Sequence, residues 1–299
     1  MGVTGLPALK RWMLTTRAGR IALVAPRAAL ATRQAGIFGS IRRIAGWSIR
    51  SRELANFTYA TTRDSDRLLA GVMAEIARRP LSEMLTYIDE LAADSELADY
   101  VVAETSRSAN RWSMDPVFLP GRRLAFYLAA RALKPALVVE AGVDKGLGAI
   151  LVSRALARNA AEGHAGDYLG IEYDREKPIP LYANYPGRIG TIVRGDSVEI
   201  LRGLGRPVGL FIHDTTAAAD HMRAQLAAVD PMMETSGLIA STWTTESLVD
   251  HAVATGRRLL SHQEEPAGHW FRGDRVGFLW GFGTPRPCRT SETAPPPSG

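Results

Sequence analysis

Between residues 53 and 111 the apolar positions recur every three or four residues. In 64–79 they fall at 68, 69, 72, 73, 76 and 77 on one helical face, with Asp64 or Asp66 as the N-cap and Pro80 as the stop. The segment 81–94 repeats the device, opened by Ser82, with Leu81, Met84, Leu85, Ile88 and Leu91 on one side. A third helix is expected over 96–106 and a fourth over 121–135, ended by Pro135. From residue 136 the rhythm shortens. Apolar runs at 136–142, 166–174, 188–196, 207–214 and 236–242 each end near an acid, a glycine or a small polar residue. Helical patterns at 149–161, 197–204, 217–229 and 246–255 lie between them. Strands alternating with helices predict an α/β fold, a doubly wound and mostly parallel sheet with helices on both faces. The runs 257–263 and 275–282 read as a closing antiparallel pair.

Composition changes this picture at the two ends. Residues 1–52 hold ten Lys or Arg and no acid, whereas the remaining residues carry 26 basic and 31 acidic side chains, a net of −5. The overall charge of +5 therefore belongs to a basic N-terminal arm. Its apolar stretch at 21–25 is cut by Pro26 and Arg27 and is far shorter than the ~20 residues of a membrane span. A basic, partly amphipathic segment of this kind suits an anionic membrane surface, a polyanion or an organellar presequence, or else a solvated terminus. Residues 284–299, rich in Pro, Ser and Thr, are expected to be disordered. The single cysteine, Cys288, falls in that tail, so neither a disulfide framework nor a cysteine metal cluster is expected. A cytoplasmic setting, peripheral to a membrane if the arm binds one, fits these features.

The candidate chemistry begins at VVEAGVDKGLG, residues 138–148. A buried strand ends in Glu140, and Gly142, Gly146 and Gly148 follow before the next helix. In an open parallel sheet ligands bind beyond the carboxyl ends of the strands, where the strand order reverses. Gly142 permits a sharp turn, Gly146 permits close approach of a ligand, and the N–H groups of the following helix suit an anionic group. A phosphate-binding P-loop is excluded because Lys145 precedes Gly146 instead of following the last glycine. A dinucleotide turn needs G-x-G-x-x-G, and Gly142-Val143-Asp144 lacks the second glycine.

The ordered series VVEAGVDKGLGA, YLGIEYD, IVRGDSVEIL and GLFIHD resembles the class I S-adenosylmethionine-dependent methyltransferases, in particular the branch similar to catechol O-methyltransferase. The resemblance covers residues 113–283, and RRLAFYLAARALKP and EEPAGHW are similar to segments of uncharacterised bacterial members. It implies a Rossmann-like S-adenosylmethionine-binding domain over 113–283, preceded by a helical cap over 53–112 and the arm over 1–52. By the same resemblance Glu140 and Gly142 would line the methionine end of the cofactor, with Gly146 and Gly148 leaving room for it. Glu172, or else Asp174, would accept hydrogen bonds from both ribose hydroxyls, and Asp196 with Ser197 would contact the adenine. For each acid the competing reading is a strand-terminal residue that caps the next helix.

Methyl transfer from a sulfonium is an in-line displacement, and an alcohol acceptor must also lose its proton to a base or a metal-activated site. In catechol-type relatives a divalent ion is held by an acid after the fourth strand and an Asp-Asn pair after the fifth. Here Asp214 matches the first, but Thr215 and Thr216 follow it and IASTW (239–243) carries no carboxylate. Ser241 and Thr242 would be weak ligands, so a metal-free reaction is expected. Asp214 is the first candidate for the catalytic base, with His213 and His269 as the others. Neighbours on a strand face opposite ways, so only one of His213 and Asp214 can face a substrate. The segment 176–188, with Tyr182 and Tyr185, reads as a lid or acceptor platform, or else as simple packing.

The reading that follows is methylation of a small-molecule acceptor, such as a sugar or glycolipid hydroxyl. One alternative is a protein that binds S-adenosylmethionine without turnover, given the acids missing after strands four and five. A nucleic-acid methyltransferase is a weaker alternative, since the body is acidic and no N-P-P-Y-like motif follows strand four.

Overall fold

The computed structural model describes residues 37–53, 57–216 and 218–282, with single positions at 16, 18, 21, 24 and 25. Most of the arm and the expected disordered tail lie outside the described residues. Two compact units result. One is built on α1 (Ile37–Arg50) and takes in Gly268–Trp270; the other runs from Arg52 to Ala267 and resumes at Phe271.

The larger unit holds a seven-stranded sheet in the order β3-β2-β1-β4-β5-β7-β6. The strands are β1 (Leu137–Ala141), β2 (Asp167–Glu172), β3 (Thr191–Arg194), β4 (Val208–His213), β5 (Met233–Ser241), β6 (Arg258–Gln263) and β7 (Arg275–Trp280). The first five run parallel, and β7 enters antiparallel between β5 and β6. The expected doubly wound sheet with a closing antiparallel element is therefore present. The chain reverses its order between β1 and β4, so the switch point lies over the glycine turn.

Side-chain alternation along the strands separates two cores. Val138, Leu210, Ile212, Leu238, Ala240 and Phe278 face the helices α2 (Arg63–Ala77), α3 (Leu81–Ala92), α4 (Ser95–Arg107), α5 (Arg123–Leu133) and α6 (Leu147–Ala161). Leu137, Val139, Ala141, Phe211, Ile239 and Leu279 face α8 (Ser197–Arg202), α9 (Ala219–Val229) and α10 (Glu246–Thr255). A short α7 (Pro180–Ala183) lies between β2 and β3. The helical segment ahead of β1 shares the first core with the sheet helices. Ion pairs, each with one buried partner, tie them together: Arg131 binds Glu90 at 2.6 Å and Glu162 at 2.6 Å, and Asp94 is bound by Arg154 and Arg158, each at 2.6 Å.

Helix starts differ from the sequence reading. Thr62, not Asp64 or Asp66, caps α2: its hydroxyl accepts the Ser65 N–H at 3.2 Å, and the two acids sit in the first turn, where the helix dipole favours them. Proline 80 precedes α3, which leaves Ser82 inside the helix.

Candidate functional site

The turn after β1 is shaped by what each glycine must clear. Gly142 has φ +90° and donates its N–H to Ile171 O at 2.9 Å; a Cβ there would collide with the Asp214 carbonyl. Gly148 lies so close to the Glu140 carboxylate that any side chain would displace it. Gly146, at φ +96°, faces Ile179 Cγ2 and Tyr182 N, each 2.9 Å from where a Cβ would stand. The space that the sequence reading assigned to a ligand at Gly146 and Gly148 is thus filled by the protein itself. The segment 176–188 does the filling at Gly146. Leu181, Tyr182 and Tyr185 are buried, Tyr100 Oη donates to Leu181 O at 2.8 Å and Tyr182 Oη to Ile189 O at 2.9 Å. This segment is packing, not a lid.

Glu140 is buried on the α5 and α6 side of the sheet and accepts a hydrogen bond from Tyr168 Oη. Burial pushes its carboxyl up to about 8, against the Tyr168 hydrogen bond and with help from the Asp214 charge. It supports the turn from beneath and does not line an open site. Glu172 ends β2 and is the group that reaches the turn. Its Oε2 accepts the Asp144 N–H at 2.9 Å and its Oε1 the Asp174 N–H at 3.2 Å, so one carboxylate joins the two strand ends. Asp144 holds φ +52° and pairs with Lys177 at 2.7 Å. Burial would raise the Asp144 carboxyl, but the Lys177 ammonium outweighs it and holds the carboxyl below its usual range. Beside Glu172, Tyr173 is 77% exposed, an aromatic at the ligand edge that the sequence reading did not single out.

Asp196 caps α8, with Oδ1 accepting the Val198 N–H at 2.8 Å and the Glu199 N–H at 3.1 Å. Ser197 is buried and accepts from Gln225 Nε2, with His221 Nε2 at 3.5 Å, so it ties α8 to α9.

At the end of β4, alternation sends His213 and Asp214 to opposite faces. His213 is fully buried between Ser241 Oγ at 3.2 Å and Thr215 Oγ1 at 3.3 Å, and burial pushes its imidazole down to about 4. It is a core residue, not a base at the mouth. Asp214 faces α5, accepts from Thr242 Oγ1 at 3.0 Å and pairs with Arg122 at 3.2 Å. Arg122 also binds Asp274 at 3.1 Å. Glu264, beside them, accepts from Tyr59 Oη at 2.7 Å and from the Asp274 N–H at 3.1 Å. Burial pushes Glu264 up to about 7 and raises Asp274 as well. Arg122, Asp274, Glu264 and Tyr59 were missed in the sequence because no spacing links them. The only signal was the pair of familiar-looking segments at 122–135 and 264–270.

His269 belongs with α1 in the smaller unit. Its ring centroid lies 5.6 Å from Trp270 and 6.4 Å from Trp47, and burial lowers its imidazole. Among the described residues no group of three or more His, Cys, Asp or Glu is placed to hold a metal ion. The residues do not fit the divalent site of catechol-type relatives. Asp214 is already engaged by a guanidinium, and the hydroxyls of Ser241 and Thr242 are turned to Trp243 O and Asp214.

This sheet order, with the glycine turn at its switch point, is a Rossmann-like, mostly parallel arrangement closed by an antiparallel strand. Residues 139–241, about a third of the chain, match a family described as a methyltransferase domain. Among solved structures, the SAH-bound Podospora anserina methyltransferase is similar over 62% of this chain and 87% of its own, at 14% identity and TM-score 0.43. The O-methyltransferase TomG of Streptomyces achromogenes, in complex with SAM, is similar over 60% and 88%, at 12% identity and TM-score 0.45. A methyltransferase from Geobacter sulfurreducens is similar over 66% and 97%, at 20% identity and TM-score 0.44. Likenesses of this size carry no argument about substrate. No curated protein matches the sequence.

Proposed function

We propose that the protein transfers a methyl group from S-adenosylmethionine to a hydroxyl of a small molecule, such as a sugar or glycolipid. The carrying observation is Glu172, a carboxylate at the end of β2 hydrogen-bonded to the amide of Asp144 in the glycine turn. Each of its oxygens has capacity beyond the one backbone N–H it accepts, which suits the two hydroxyls of a ribose. The exposed Tyr173 beside it offers a flat apolar face to the attached base.

When bound, the cofactor supplies an electrophilic methyl on a sulfonium. The chain's part is to orient it and to take the acceptor's proton. Asp214 is the carboxylate at the β4 mouth, and Arg122 and Thr242 hold its Oδ1. In this reading Asp214 receives the proton and Arg122 is a positioning residue.

Titration calorimetry with S-adenosylhomocysteine tests the reading. Glu172→Ala is expected to weaken binding at least tenfold, the size of one or two charge-assisted hydrogen bonds. Unchanged binding removes Glu172 from the site, and no binding by the unaltered chain removes the cofactor assignment. Asp214→Asn should keep binding and lose turnover. A second reading, binding without turnover, is favoured by one observation: Asp214 is already committed to a cation. Binding with no transfer to any hydroxyl acceptor would support it.

A further inference from the structure

We infer that α1 is a docking surface for an anionic lipid bilayer. The 14-residue helix IFGSIRRIAGWSIR places its isoleucines on one arc and Arg42, Arg43 and Arg50 at and beyond the arc's border. Trp47 lies outside that arc and packs edge-on to Trp270, ring centroids 5.2 Å apart. The helix is therefore held by its tryptophan side, while the isoleucine side is open: Ile41 is 55%, Ile44 44% and Ile49 84% exposed. Arg42 and Arg43 are exposed as well. Low mean hydropathy with strong segregation, and only arginine among its charged residues, is the composition of helices that lie in the bilayer interface.

Charge chooses the occupant. Arg42, Arg43 and Arg50 are the only charged residues of α1 and no acid lies in 1–52, so this surface complements an anionic partner. A polyanion such as RNA would engage the arginines but leave three isoleucines in water. A second copy would cover the isoleucines but bring arginine against arginine. An anionic bilayer satisfies both, because acyl chains receive the isoleucines while headgroups receive the guanidinium groups. The helix is too short to span a membrane, and no described helix is long and apolar enough to do so.

Flotation of the full chain with vesicles, without cofactor, tests this independently of methyl transfer. One set is phosphatidylcholine alone; the other contains roughly one third phosphatidylglycerol. Binding is expected only to the anionic vesicles and is lost at about 0.5 M salt, where screening shortens the reach of the arginines to a few Å. The double variant Ile41→Asp, Ile49→Asp should abolish binding. Arg42→Gln with Arg43→Gln should weaken it by about tenfold or more. Circular dichroism and urea midpoints confirm that both variants fold. Absence of binding, equal binding to both vesicle types, or binding unchanged in both variants overturns the inference. So does a dimer that the isoleucine variant converts to monomer, or RNA binding that survives that variant while vesicles are ignored.

Discussion

The carboxyl edge of the sheet is built in two ways. At β1 and β2 the acids are satisfied by neutral donors: Glu140 by a tyrosine hydroxyl, and Glu172 by two backbone amides. At β4 and β7 they gather around one cation, with Asp214 and Asp274 on Arg122 and Glu264 joined to Asp274 through its amide. The first arrangement is distributed, so each bond can fail alone. The second has Arg122 as its keystone, ion-paired to both aspartates, and its acids are held apart from water. Buried charge clusters of this kind are costly to break even where they add little net stability.

The largest effect should come from removing that cation. Arg122→Ala leaves Asp214 and Asp274 without their ion-pair partner and is expected to cost about 3–5 kcal/mol, read as a fall in the urea midpoint. The loss should be smaller in mildly acid buffer, where Glu264, raised to about 7 by burial, takes up a proton. By contrast, Glu172→Ala at the other half should change stability little and cofactor binding strongly. Equal stability losses at the two positions would erase the contrast.

The second effect is a pH slope. Burial raises Glu140 to about 8 and Glu264 to about 7 from an ordinary 4.5, so the folded chain binds more protons than the unfolded one in between. Stability must therefore fall as pH rises through this window. His213 has the opposite sign, since its imidazole is lowered to about 4 from 6.5 and it loses stability on acidification below 6.5. Asp230 and Glu162, both lowered to about 2, act only below their ordinary values. The clean window thus lies between pH 6.5 and 8, where the two raised glutamates act alone among these groups. A loss of about 2–3 kcal/mol is expected there, at ~1.4 kcal/mol per pH unit for each fully coupled group. Urea midpoints across the window check it, and Glu140→Gln should flatten much of the slope.

Third in size is Gly148→Ala. The new methyl must push the Glu140 carboxylate out of its place, an overpacking cost of about 1–3 kcal/mol. Gly163→Ala, where φ is +87° but nothing stands nearby, is the reference for backbone strain alone. If Gly148→Ala costs no more than the reference, Glu140 is not the buttress described above.

The same contrast explains what could be read in the sequence. The β1 and β2 half is local: VVEAGVDKGLG and YLGIEYD each carry their own turn, glycines and acid, so the strands and the acids that end them were legible. Even there the glycines were assigned to a ligand, because sequence shows that a side chain is missing and not what occupies the space. The β4 to β7 half joins residues 59, 122, 214, 264 and 274, which only the antiparallel entry of β7 brings together. No period or motif spans such distances, so Asp214 was legible and its guanidinium partner was not.

The smallest effect concerns Asp196, where capping and cofactor contact were competing readings. Its Oδ1 caps α8 through two N–H groups, so Asp196→Ala should cost about 1 kcal/mol whether or not a ligand is bound. Asn caps nearly as well as Asp, so Asp196→Asn should restore most of that stability. The pair of variants separates the roles. If S-adenosylhomocysteine binds the Asn variant as it binds the unaltered chain, the residue serves the helix alone, and the β3 end joins Glu140 as support for the site. If binding weakens several-fold while stability recovers, the carboxylate charge itself meets the ligand. The distributed half of the edge would then use its acids twice, once for the fold and once for the cofactor.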